Sequence, residues 1–239
     1  MATFLEICQA VCDGIGIESP TTVASNTGDT ERRLLALANK GGKALARMYD
    51  WAILQKEHTF TTVNGTAEYA LPSDFGRFID DTAWDRDAYM AMRGPLWASD
   101  WQVAKSGLIA SAGIQKQWRL KRASASDTAT FYIDPTPTNS TDDLVYEYIA
   151  KNWCASSGGT DQSAWAADTD VAILDEYLIE LDLTWRMQER FGLSYQDARD
   201  EFERAAQLAY ARDGGAAVVS LGRGAYSFGV NVPETGYGL

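Results

Sequence analysis

The 239-residue chain is 46% hydrophobic and carries 33 acidic against 21 basic residues, a formal net charge of −12. That apolar content supports a core without disulfides or metal, and the acidic surplus is unsuited to gripping nucleic-acid phosphates, where Lys and Arg displace counterions. One histidine and three cysteines (Cys8, Cys12 and Cys154) show no metal-ligand spacing or disulfide framework, so no cofactor is implied.

Thr3 and Glu6 have capping-box spacing, and Phe4, Cys8, Val11 and Ile15 follow at helical intervals. These features predict a helix from about residue 3 to Asp13, stopped by Gly14 and Gly16, with Cys8 and Cys12 as small core residues one turn apart. The opening segment lacks the basic region and apolar run of a signal peptide. No segment approaches the roughly 20 apolar residues that span a bilayer, so no membrane contact is expected.

A second helix is predicted from Asp29 to about Ala52, with Leu34, Leu37, Gly41, Leu45, Met48 and Trp51 as its apolar stripe. Gly41 and Gly42 each cost about 1 kcal/mol against Ala in a helix, which favours close approach by another backbone over a kink. The same helix carries five basic residues, Arg32, Arg33, Lys40, Lys43 and Arg47, as a candidate subunit-interface face. An acidic helix of a neighbouring copy suits them better than phosphate, given the overall charge.

Asn64-Gly65, between two alternating runs over residues 57–72, predicts a β-hairpin. Further strands are expected at Phe78–Trp84, Gln117–Arg122, Thr130–Asp134 and Leu144–Lys151, with a short helix at Pro95–Lys105 bearing Trp97 and Trp101. Residues 152–167, rich in Ser, Gly and Ala, are expected to form a flexible loop. Val171, Leu174, Leu178, Leu181 and Trp185 predict a helix over residues 169–191. Its early acids, among them Asp175, Glu176 and Glu180, are candidates for a channel or subunit interface. Ser194 with Asp197 caps a last helix, with Ala198, Phe202, Ala205 and Ala209 as its stripe.

Beyond Asp213 the chain is rich in glycine yet apolar. An extended arm over residues 214–239 is expected, with Val218, Leu221, Tyr226, Phe228, Val230 and Tyr237 covered by another molecule. The resulting expectation is an α+β fold: mainly a helical bundle (residues 1–56 and 168–213), an inserted small antiparallel β-sheet (57–151), the flexible loop and the C-terminal arm.

Catalytic chemistry is not assembled by these residues. His58 starts a strand with no nucleophile context, and Gly41-Gly42-Lys43 lacks the spacing of a phosphate loop. A glycosidase needs two carboxylates at a fixed separation. Adjacent acids such as Asp142-Asp143 point to opposite faces of a strand, and Asp134 reads as a strand-end residue. A structural protein, not an enzyme, is expected; a hydrolase using Asp134, Asp142 and Asp143 is the alternative from another class.

The order of elements carries a resemblance. Thr3-Phe4-Leu5-Glu6-Ile7-Cys8 opens the first helix; Thr27-Gly28-Asp29, Arg32 or Arg33, and Asp50-Trp51 punctuate the second. Pro135 and Pro137 precede a Tyr-rich strand, and a helix pair closes the body. In combination, over residues 3–212, the chain resembles the short head-to-tail adaptors (connector, tail tubular protein A-like) of podovirus-like phages. The resemblance implies a homo-oligomeric ring, commonly of about twelve copies, closed by a heterologous interface. It implies docking to the portal protein through the C-terminal arm, and to a downstream tail or nozzle protein. DNA would pass through the channel during packaging and ejection without specific binding. The implied location is the head-to-tail junction of the virion, after assembly in the host cytoplasm; in that setting the alternatives are another tail completion protein or a tail-associated cell-wall hydrolase.

Overall fold

The computed structural model describes residues 2–106, 115–122 and 129–214. Of these, 39% are helical and 23% lie in strands, in five α-helices and three antiparallel sheets. The fold is therefore mixed α and β, and the expected predominance of a helical bundle is corrected. The strands that periodicity does not reveal at all are two residues long each, too short for alternation to show.

Helix α1 (Phe4–Ile15) starts on the capping box, with Thr3 accepting from the Glu6 N–H and Glu6 accepting from the Thr3 N–H. Gly16, left-handed at φ 80°, ends it. Phe4, Ile7, Cys8, Val11 and Cys12 are buried in the main core, as the spacing requires. Helix α2 (Asp29–Met48) runs unbroken through Gly41 and Gly42. A Cβ at Gly41 would meet the Asp182 carboxylate, and one at Gly42 would lie 2.3 Å from the Trp153 ring. The glycines permit close approach and no kink, but what approaches is the Asp182 and Trp153 side chains, not the backbone that was expected.

Helix α4 (Glu176–Phe191) packs against α1, α2 and α5 (Gln196–Asp213). It begins seven residues later than periodicity suggested. Asp175 caps it by accepting from the Tyr177 N–H at 3.0 Å. Val171–Ala172 instead forms strand β11, antiparallel to β9 (Cys154–Ala155), which also pairs with β10 (Asp161–Gln162). Residues 152–167, expected as a flexible loop, thus contain two strands. Trp153 and Trp165 are buried there, edge to face at 5.1 Å, and Phe4 stacks on Trp165 at 5.0 Å. Carboxylates hold this region in place. Asp170 accepts from Ala166 and Ala167 N–H, and Asp168 accepts from Val23 and Ala24 N–H. The small residues at 157–160 are exposed, while Trp153, Cys154, Ala155 and Trp165 around them are buried.

The second core lies under β8 (Asp143–Ala150), which is buried along most of its length. On one edge β8 pairs with β1 (Gln55–Thr61); on the other it pairs with β3 (Phe75–Phe78) and β4 (Trp84–Asp85), and β4 continues to β5 (Met90–Ala91). A separate sheet orders β2 (Glu68–Ala70), β7 (Ala129–Asp134) and β6 (Gln117–Arg122). The expected hairpin is corrected here. The turn at Asn64-Gly65 exists, with Gly65 at φ 77°, but β1 and β2 enter different sheets. The turn is held from outside: Gly65 N–H donates to Pro137 O at 2.9 Å, and Asn64 N–H to Ser140 Oγ at 2.9 Å. Buried Thr62 marks the parting point, its N–H donating to Asp142 O at 2.9 Å. The long apolar β8 is a better partner for β1 than the three-residue β2. Helix α3 (Ala98–Ser106) buries Trp101 against Tyr132 and leaves Trp97 exposed.

Gly42→Ala is expected to lower the urea midpoint. Overpacking against Trp153 costs about 1–3 kcal/mol, more than the alanine's helix propensity returns. Gly14→Ala, at a site with open space around the new Cβ, should raise stability by about 0.5–1 kcal/mol. Equal effects at the two sites would show that the slot at Gly42 is not tight.

Candidate assembly interface

At 3.6 residues per turn, Arg32, Arg33, Lys40, Lys43 and Arg47 fall within about 100° of arc on α2. Leu34, Ala38, Gly41, Gly42, Leu45 and Ala46 occupy the opposite, buried side. All five basic residues are exposed, and none makes an ion pair among the described residues. The sequence placed these cations on one face, and the structure leaves that face open.

The candidate acids behave differently from one another. Asp175 is the α4 cap, and Glu176 accepts the Ala2 N–H at 2.5 Å, so both have partners inside the subunit. Glu180 is half-buried one turn into α4. Sequence reading passed over three exposed acids, Asp197, Asp200 and Glu201, that lie on one arc of α5 with exposed Arg204 among them. Helical numbering alone identifies that arc; its exposure required knowing which side of α5 meets α4.

A groove of about 660 Å³ opens where the ends of α2 and α5 meet the start of α4. Leu45, Trp51, Leu174 and Leu178 form its apolar floor. The arm residues Val218, Leu221, Tyr226, Phe228, Val230 and Tyr237 lie outside the described residues.

The acids proposed for hydrolysis have structural partners. Asp134 accepts from Lys105, Asp143 from Thr61 Oγ1 at 2.8 Å, and Asp142 from Lys116 Nζ at 2.8 Å and Asn139 Nδ2 at 2.7 Å. Lys116 also pairs with buried Asp85, which caps a turn by accepting from Asp87 and Ala88 N–H. Lys116 therefore joins β4, β6 and the turn before β8. A second lysine does the same elsewhere: Lys56 Nζ lies 2.8 Å from Asp74 and 2.6 Å from Asp161, tying β1 to β10. His58 packs between Phe60 and Tyr146, and burial lowers its pKa, keeping the ring neutral. The three cysteines are free and buried, and burial pushes each thiol pKa up, Cys154 to about 12. Among the described residues no cluster of His, Cys, Asp or Glu is arranged to hold a metal, and no helix is long and apolar enough to cross a membrane.

A family model described as SU10 adaptor protein matches residues 2–227, spanning both cores and every helix described above. The chain belongs to the SU10 adaptor protein family. It is a phage structural adaptor, consistent with ion pairs that pin elements together and a charged helix face left outward. No curated protein matches the chain significantly. The resemblance seen in the sequence over residues 3–212 thus identified the family, and its match in this adaptor reaches past the last described residue.

For this adaptor protein, Lys116→Met leaves Asp85 and Asp142 without their cation and should cost about 3–5 kcal/mol at pH 7. The Lys116 hydrogen bond holds the Asp142 carboxyl below the usual carboxylate range, outweighing burial. A lowered folded pKa contributes stability that is present above the unfolded value of about 3.9 and lost as pH falls through the folded value. Urea titrations from pH 7 to 3 should therefore show the gap between wild type and variant narrowing below about pH 4. A constant gap would mean that Lys116 acts through packing alone.

Proposed function

We propose that this adaptor assembles into a ring at the head-to-tail junction, joining the portal protein to a downstream tail or nozzle protein. The observation that supports this most directly is the one-sided cationic arc of α2, which makes no ion pair among the described residues. In a head-to-tail ring, that arc on one copy meets an acidic arc on the next, and Asp197, Asp200 and Glu201 of α5 offer the complement. Complementary faces also fix the register between copies, which a closed ring requires. The net charge of −12 suits a channel that DNA traverses during packaging and ejection, because acids repel phosphates instead of holding them. The C-terminal residues, Tyr226, Phe228, Val230 and Tyr237 foremost, provide the apolar contact with the portal.

The triple variant K40E/K43E/R47E tests the ring. Exposed substitutions of this kind change stability by about 0.5 kcal/mol or less each, so thermal unfolding of the subunit should stay near wild type. Native mass spectrometry should then show assembly with the cognate portal lost or strongly reduced. Rings of normal abundance from the folded variant would refute the α2 interface.

The portal contact is tested separately. Replacing Tyr226, Phe228 and Val230 by Ser should weaken capture by the portal at least about ten-fold, since apolar anchors dominate such interfaces. Unfolding of the described body should be unchanged. Undiminished capture would place the portal contact elsewhere on the subunit.

A further inference from the structure

The groove at the end of α5 is an apolar surface without an occupant among the described residues. Its rim residues Ile53, Tyr177 and Leu208 are 56%, 51% and 57% exposed, beside the buried floor of Trp51, Leu174 and Leu178. A volume of about 660 Å³ falls in the range that accommodates a ligand or short apolar segment. The chain leaves the described structure at this rim. Arg212 and Asp213 line the groove, and the last helical turn is fixed there. The Asp213 carboxylate accepts the Ala52 N–H at 2.5 Å, and Tyr210 stacks on Tyr49 at 4.2 Å. The residues that follow Gly214 include Ala216-Ala217-Val218-Val219-Ser220-Leu221, the apolar stretch nearest in sequence to the groove.

We propose that residues 216–221 of the same chain occupy this groove, leaving residues 222–239 as the part of the arm that reaches another protein. Geometry and mass action both favour this occupant. Val219 lies five residues beyond Gly214, a reach of up to about 17 Å. A segment on so short a tether has an effective concentration in the millimolar range, well above that of a second copy at micromolar protein. The segment also brings Arg223 next to a rim that carries Asp175 and Glu176, which supplies charge complementarity. The C-terminal arm then has two parts: Val218 and Leu221 anchor it to its own subunit, and Tyr226, Phe228, Val230 and Tyr237 extend from a fixed exit. This assignment does not depend on the ring or on the portal.

A cysteine pair in the full-length chain tests it. Leu208→Cys with Val219→Cys places one thiol on the rim and one in the segment, while native Cys8, Cys12 and Cys154 are buried and do not compete. Mild oxidation at micromolar protein should give an intramolecular disulfide at least about ten-fold faster than the control pair Val63→Cys with Val219→Cys. Covalent dimers as the main product would assign the groove to a second copy, and rates equal to the control would leave it unassigned to this segment; either result overturns the proposal. A second measurement avoids substitutions in the body. Val219→Asp with Leu221→Asp should speed hydrogen exchange at residues 172–178 and 205–213 at least about ten-fold, whereas Phe228→Asp should not. Unchanged exchange in the double variant would also overturn it.

Discussion

The slot between α2 and α4 governs how the subunit is built. Gly41 and Gly42 remove the side chains that would keep α2 away, so the helix rests directly against the Asp182 carboxylate and the Trp153 ring. Trp153 follows β8 closely in sequence, and its backbone bonds to Gln162, Ile173 and Leu174. Its indole N–H donates to Ser163 O at 3.0 Å. One buried side chain therefore joins the helical core, the small sheet of β9 to β11, and the strand that organises the larger sheet. Asp182 beneath Gly41 accepts from Arg186 at 2.7 Å and from the Trp185 indole at 3.2 Å, which offset part of its burial; burial still raises the carboxyl pKa.

Polar pins hold what the apolar cores do not reach. Lys56 and Lys116 each bridge two aspartates from different segments, and Asp168 and Asp170 tie down backbone N–H groups near the start of α1. Charge-assisted contacts of this kind are stronger than neutral hydrogen bonds and fix the geometry between the segments they join. The acids that a hydrolase would need are among those spent on this framework.

Charge is segregated on the surface. The side of α2 that faces away from the core is cationic, α5 carries exposed Asp197, Asp200 and Glu201 around Arg204, and the net charge remains strongly negative. The proposed contact between copies requires complementary faces on different sides, and the proposed passage of DNA favours few exposed cations elsewhere. The apolar groove beside Gly214 adds a third surface, placed where the C-terminal segment departs.

Reading the residues alone established a good deal. The capping box at Thr3 and Glu6, the α2 stripe with its glycine pair, strands β6 to β8 and the basic arc were all visible because each depends on neighbours one helical turn away or on strand alternation. The family was legible for the same reason, from short motifs spread along the chain. Three features were decided only by tertiary structure. Asn64-Gly65 looked like the tip of a hairpin, but β8 competed successfully for β1 through a long apolar strand some eighty residues away. Residues 152–167 looked mobile from their small side chains, whereas Trp153 and Trp165 within them are core. The start of α4 moved to Glu176 because Val171–Ala172 found a strand partner in β9. In each case the local signal was correct about the turn, the composition or the period, and strand pairing or aromatic packing with another segment decided the structure.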